Sequence, residues 1–292
     1  MTINEQALVF DCAGDTLIGV VASPESPPDV GVLIIVGGPQ YRAGSHRQFT
    51  LLARFLAGQG VACMRFDYRG MGDSSGSARD FETVGDDVSA AIDAFVDQVP
   101  QVRKVVLWGL CDGASAASFR APMDDRIAGL VLLNPWVRTE AGKAKAMLKH
   151  YYLGRLFDRR FWKKFFTGGV GVLGSISSLW ANVVKSGSVP LKPVPASGTK
   201  PVGALPDRLL AALARRDLPV AVFLSGRDYV AKEFDDVVAG SVEWQRLMQG
   251  RRMAVVRFEA ADHTFSSAAR RDAVALATWK WLLDQRLIRD GE

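Results

Sequence analysis

Apolar residues along this chain gather in short unbroken runs, while the stretches between them carry apolar residues at every third or fourth position. Residues 30–36 form one such run, ending at Gly37-Gly38-Pro39, the pattern of a strand buried on both faces of a sheet. Further strand-like stretches cover 61–68, 105–108, 127–134, 220–224 and 253–258. Two earlier runs, 7–12 and 17–22, flank the turn Ala13-Gly14-Asp15 and read as an antiparallel hairpin at one sheet edge. Between the runs, 46–56 places Phe49, Leu52, Ala53 and Leu56 on one helical face. Residues 81–99 set Val84, Val88, Ile92, Phe95 and Val99 opposite Asp86, Asp93 and Asp97, the stripe of an amphipathic helix. Small residues from Ala114 to Ala117 begin another helix, 208–216 a short one and 267–287 a closing one. Strands alternating with helices predict an α/β fold on a sheet of about eight strands, mostly parallel, with helices on both faces.

The alternation stops between 135 and 218. Residues 143–166 form a long basic helical pattern with Leu148, Tyr152 and Leu156 four apart, and 170–184 are apolar and Ser-rich. Residues 187–206 hold Pro190, Pro193, Pro195, Pro201 and Pro206 among Gly and Ser, the composition of a loop. These features predict an inserted helical lid over 138–217, which divides a core into 1–137 and 218–292. Charge follows the same division. The 292-residue chain carries a net +5, yet residues 138–216 hold 15 Lys and Arg against 3 Asp and Glu, so the remainder is acidic. Such a basic segment serves as a solvated helix face, steers an anionic substrate, or touches an acidic membrane surface. Phe161, Trp162, Phe165 and Phe166 beside Lys163 and Lys164 suit that last role. No nucleic-acid-binding motif accompanies it.

The 3 cysteines, Cys12, Cys63 and Cys111, are odd in number, far apart and without metal-ligand spacing. They point to a reducing, cytoplasmic setting without a disulfide framework or metal site. The first residues show no signal-peptide pattern, and no apolar run approaches the roughly 18 residues of a spanning helix. Asp67 and Asp73 flank a Gly-rich turn and read as loop-stabilising. Gly70-Met71-Gly72 lacks the following helix that a dinucleotide fingerprint requires. No cofactor is expected.

The candidate chemistry begins at Gly109-Leu110-Cys111-Asp112-Gly113, where the 105–108 run meets the small-residue helix. A nucleophile at the apex of so tight a strand-to-helix turn needs residues without bulk two before and two after it, and Gly109 and Gly113 meet that demand. The Asp112 N–H opens the helix at its positive end, where an oxyanion can bind. Of the 3 histidines, His46 opens a helix and His150 lies in the insertion. His263 follows the 253–258 run, and Asp228 follows the 220–224 run. Cys111, Asp228 and His263 therefore each stand just past the carboxyl end of an expected parallel strand, where such sheets bind ligands. The expected chemistry is a thiol that gives its proton to His263 and attacks a carbonyl, with Asp228 fixing the imidazole tautomer. Two plainer readings remain: Asp228 bonding its own backbone in a turn, and Asp262 orienting the imidazole instead. The second oxyanion donor is open among the Gly38 N–H, the Gln40 N–H and the Tyr41 hydroxyl, because Pro39 has no N–H. An aspartyl nucleophile at Asp112 is set aside, since the shifted elbow would put Leu110 where glycine is needed.

The elbow, with its acid and histidine in the order Cys, Asp, His, resembles the α/β-hydrolase superfamily, whose usual nucleophile is serine. The stretch from Phe66 through Asp67-Tyr68-Arg69-Gly70-Met71-Gly72-Asp73 to Gly76 is similar to the loop after the fourth strand in the serine-aminopeptidase-like and esterase branches. More narrowly, Gly37-Gly38-Pro39-Gln40-Tyr41-Arg42, Gly44-Ser45-His46-Arg47-Gln48, Gly109-Leu110-Cys111-Asp112 and Leu133-Asn134-Pro135-Trp136-Val137-Arg138 resemble the hydrolase 1 family associated with the exosortase A system. That resemblance implies an α/β-hydrolase fold and a cytoplasmic hydrolase in bacterial exopolysaccharide and protein-sorting metabolism. A cysteine nucleophile, as in dienelactone-hydrolase-like enzymes, favours thioesters and activated esters. The expected partner is a small-molecule or carrier-bound acyl substrate. Acyl transfer to another acceptor, or a non-catalytic binding role, stays open.

Overall fold

The computed structural model describes residues 2–38, 40–138 and 203–289. Eight strands form one sheet in the order β1-β2-β4-β3-β5-β6-β7-β8. β1 (Ile3–Cys12) and β2 (Asp15–Pro24) make the expected hairpin, and β2 runs antiparallel to β4 (Cys63–Asp67) as well. From β4 onward through β3 (Val30–Ile35), β5 (Lys104–Leu110), β6 (Ile127–Leu133), β7 (Val220–Ser225) and β8 (Met253–Phe258), every pairing is parallel. β3, β4 and β7 are buried along their whole length; in β3 and β7 this leaves near-continuous apolar runs, whereas β4 carries Arg65 and Asp67 inside, paired with Glu5 and Arg42.

The helices are α1 (Gln48–Gly58), α2 (Gly85–Gln98), α3 (Asp112–Arg120), α4 (Leu205–Ala214), α5 (Tyr229–Ala239), α6 (Val242–Met248) and α7 (Ala268–Asp284). α1 packs against α7, α2 against α3, and α3 against α4. The indole N–H of Trp108 on β5 donates to Thr278 Oγ1 on α7 at 3.2 Å, which ties the closing helix to the sheet centre.

Some expected bounds move for local reasons. The helix expected from His46 starts at Gln48, because His46 and Arg47 both take positive φ, 54° and 60°. The helix expected over 81–99 occupies only Gly85–Gln98, and its Asp87, on the buried side, is 0 % exposed. Arg69 after β4 answers that charge: its backbone N–H donates to Asp87 Oδ1 at 2.8 Å and its Nη2 to Oδ2 at 2.8 Å. Arg42 pairs with both Asp67 and Asp73 in the neighbouring loop.

Residues 203–292 form one compact unit with 1–138, α4 included, because Leu209 of α4 is buried in the common core. The basic and Pro-rich features of 139–202 lie outside the described residues.

Candidate active site

The three residues read from the sequence sit at the carboxyl ends of β5, β7 and β8. Cys111 joins β5 to α3 with φ 61° and ψ −123°, a left-handed backbone that costs a non-glycine residue about 1–3 kcal/mol. Its surroundings hold it there. The Cys111 N–H donates to Leu133 O at 2.8 Å, and its carbonyl accepts from Ala114 at 3.1 Å and Trp136 at 3.2 Å. A Cβ on Gly113 would stand 2.5 Å from the Ile35 carbonyl oxygen, and one on Gly109 would collide with the Gly113 backbone. The steric rule read from the pentapeptide therefore has definite atoms behind it.

Asp228 caps α5. Its Oδ1 accepts from the Val230 N–H at 3.1 Å, while Oδ2 meets His263 Nδ1 at 2.7 Å. The turn-bonding and imidazole-orienting readings both hold, one on each oxygen. Asp262 turns instead to the backbone N–H and hydroxyl of Ser266, and those hydrogen bonds hold its carboxyl below the usual range. His263 is pushed up to about 10, first by its hydrogen bond to Asp228 and next by its hydrogen bond to the Cys111 side chain. The imidazole thus stands 2.7 Å from the Asp228 carboxylate and under the influence of the Cys111 side chain. Cys12 and Cys63 are buried, and burial pushes both thiols up.

The oxyanion side departs from expectation. The Asp112 N–H stands at the start of α3 as anticipated, but Gly38 and Gln40 do not offer free amides. The Gly38 N–H donates to Asp112 Oδ1 at 2.6 Å, and the Gln40 N–H to the Gly38 carbonyl at 2.8 Å. Burial pushes the Asp112 carboxyl up, and the amides of Gly38, Gly113 and Asp112 itself act against that by favouring its charged form. Tyr41 is 50 % exposed, and Pro39 lies outside the described residues.

Sequence reasoning missed Asn134. It ends β6 with φ 44° and is 0 % exposed. Its Nδ2 donates to Ser225 Oγ at 2.9 Å and to the His263 carbonyl at 3.1 Å, and its Oδ1 accepts the Ser225 N–H at 2.9 Å. One amide thus joins the ends of β6 and β7 and the loop that carries the imidazole. An asparagine followed by proline at a strand end was the available signal, since Asn tolerates the left-handed region better than most residues. Nearby, Arg138 pairs with Glu233 of α5 at 2.8 Å and lies 4.5 Å over the Trp136 ring, holding the chain at the last described residue before 139.

Comparison with known proteins agrees with this architecture. The esterase of Pyrococcus furiosus superposes with a TM-score of 0.65 at 15% identity, covering 97% of this chain and 91% of that one. A dienelactone hydrolase of Anabaena variabilis gives 0.61 at 14%, covering 97% and 99%. Among curated sequences, the quorum-quenching protein AidA of Acinetobacter baumannii is 35% identical over 101 residues, 32% of this chain and 33% of that protein. The polyketide transferase GrgF of a Penicillium species is 27% identical over 90 residues, 30% of this chain and 31% of that protein. These matches span about a third of each relative's length. A family model described as the alpha/beta hydrolase family matches residues 32–277, from β3 to α7. With that match over most of the chain and the eight-stranded sheet beneath it, the chain belongs to the alpha/beta hydrolase family.

Proposed function

We propose that this chain hydrolyses an ester or thioester through an acyl-thioenzyme on Cys111, with His263 as the proton carrier and Asp228 as its orienting carboxylate. What supports the reading is the contact chain from Asp228 through His263 to Cys111 at a positive-φ elbow. The Cys111 proton passes to His263, and the imidazolium is held by Asp228. The sulfur then bonds the substrate's carbonyl carbon. As the carbon–oxygen or carbon–sulfur bond to the leaving group breaks, His263 returns that proton to the departing alcohol or thiol. A water molecule, deprotonated by His263, next attacks the thioacyl carbon. Free acid leaves, and the proton returns to the sulfur.

The test is hydrolysis of p-nitrophenyl butyrate and a short acyl-CoA, followed by intact mass of the trapped adduct. Wild type gains one acyl group and Cys111→Ala neither gains it nor turns over; full activity in that variant refutes the reading. Transfer of the acyl group to an acceptor other than water is the second reading, favoured by the partial similarity to a polyketide transferase. Product mass with and without candidate alcohols separates the two. The resemblance to exosortase A system-associated hydrolases extends the proposal to cytoplasmic exopolysaccharide metabolism, with the basic 138–216 segment recruiting an anionic or membrane-borne substrate. Among the described residues no helix is long and apolar enough to cross a membrane.

A further inference from the structure

We propose that Asp112 governs access to the oxyanion site: its own carboxylate fills the amide cradle at rest, and the substrate's carbonyl oxygen has to displace it before acyl transfer. The inference rests on the acyl-transfer reading above. The cradle draws on two separate elements, the loop after β3 through the Gly38 amide and the start of α3 through the amides of Asp112 and Gly113. The Gly38 amide donates to the carboxylate directly at 2.6 Å, and the other two favour its charged form. That carboxylate reaches deep between the two elements, since a Cβ added to Gly37 would stand 2.6 Å from Asp112 Oδ1. Glycine at 37 makes room first for the Leu110 carbonyl, the nearest group to such a Cβ, and next for the carboxylate.

An amide N–H serves one strong acceptor at a time. A carbonyl oxygen attacked by Cys111 must take its developing charge to these same amides, which flank the nucleophile. With the cradle filled, the tetrahedral oxyanion would have no donors and would face a carboxylate of like charge. Removing a single such donor slows acyl transfer by about a hundredfold or more, so the resting arrangement is not the one that turns over. Rotation of the Asp112 side chain away from Gly38 frees the amides. The His263 imidazolium, whose charge already acts on Asp112, remains close enough to stabilise the displaced group. Burial pushes the Asp112 carboxyl up, which weakens its hold on the cradle relative to a solvated carboxylate.

The experiment compares turnover of p-nitrophenyl acetate with alkylation of Cys111 by iodoacetamide in wild type, Asp112→Ala and Asp112→Asn, the alkylation being followed by intact mass. Alkylation displaces iodide from carbon and creates no oxyanion, so it reports the thiol independently of the cradle. Asp112→Ala is expected to raise kcat/KM for the ester about tenfold or more while alkylation changes by less than about threefold. Asp112→Asn, which keeps an acceptor of the same shape without its charge, falls between. Formate is expected to inhibit the Asp112→Ala enzyme by refilling the vacated cradle, and to leave wild type unaffected. An alanine variant no faster than wild type, with Cys111 alkylated at the wild-type rate, overturns the proposal and leaves the acyl-transfer reading standing. Wild-type Cys111 alkylated no faster than Cys12 overturns that reading and this inference together. Should Asp112→Ala fail to fold, Asp112→Asn decides alone: faster ester turnover supports the displacement, and unchanged or slower turnover overturns it.

Discussion

Replacing Asn134 by alanine removes three hydrogen bonds at once from a fully buried junction. The Ser225 hydroxyl can turn to another partner, but the Ser225 N–H and the His263 carbonyl are left facing a small void. A buried polar group without a partner costs about 1–3 kcal/mol, so two such groups destabilise the fold by about 3 kcal/mol. For a domain of this size that lowers Tm by about 6–12 °C. The kinetic effect comes through the loop: the His263 backbone loses the hydrogen bond that fixes its height above the sheet, and the imidazole drifts relative to Cys111. Misplacement on the ångström scale costs about tenfold to a hundredfold in kcat. The change Asn134→Asp discriminates further. A carboxylate there still accepts the Ser225 N–H but turns an oxygen toward the His263 carbonyl, so Asn134→Asp should lose more activity than Asn134→Ala. Urea denaturation and ester hydrolysis at fixed pH check both effects. A loss below about 1 kcal/mol with unchanged kcat would show that the His263 loop is held by other means.

Other consequences follow from the same geometry. Asp228→Asn keeps an Oδ1 to cap α5 but presents an NH2 group to the imidazole, so α5 keeps its cap while the stabilisation that the charged His263 draws from Asp228 is lost, and kcat falls by about 10³–10⁴, the scale seen when an orienting aspartate is amidated in serine hydrolases; a loss under tenfold counts against the orienting role. His263 is raised from 6.5 to about 10 in the folded state, so the folded protein binds its proton more tightly than the unfolded chain does. That stabilisation is fully present below pH 6.5 and is lost as pH rises through about 10, as linkage requires. Urea midpoints taken across this range should decline for wild type and flatten in His263→Gln. Asp87→Ala strands the buried Arg69 guanidinium and should cost about 3–5 kcal/mol, whereas the double change Asp87→Leu with Arg69→Met should recover much of that loss in the same urea titration.

The sheet was legible because its central strands are buried, which leaves β3 and β7 as near-continuous apolar runs and β4 with apolar neighbours around Arg65. The placement of the candidate site was legible at the strand ends: Cys111 between two glycines after β5, Asp228 after β7 and His263 after β8. Helices α5 and α6 were not foreseen. Both begin on polar caps, Asp228 and Ser241, and Asp228 read as chemistry hid its role as a cap. The helical stretch before Gly85 was overextended because Val84, though it faces the core, precedes the first helical turn. The state of the oxyanion cradle could not be read from sequence at all. Whether an amide is free depends on where a neighbouring carboxylate folds, and both Gly38 and Asp112 carry the same letters in either case.

The sheet order places β1 to β6, from the segment before 139, on one side and β7 and β8, from the segment after 202, on the other. The proposed nucleophile and base therefore belong to two stretches of polymer that meet along one ladder, Leu130 to Leu133 against Val220 to Phe223, with Asn134 at its end. Folding the first stretch alone can complete the elbow and still yield no reagent, because the imidazole arrives only when that ladder closes. Reactivity of the sulfur is thus a late event in assembly, and a nascent chain carries its most dangerous atom unarmed until its last strands have docked.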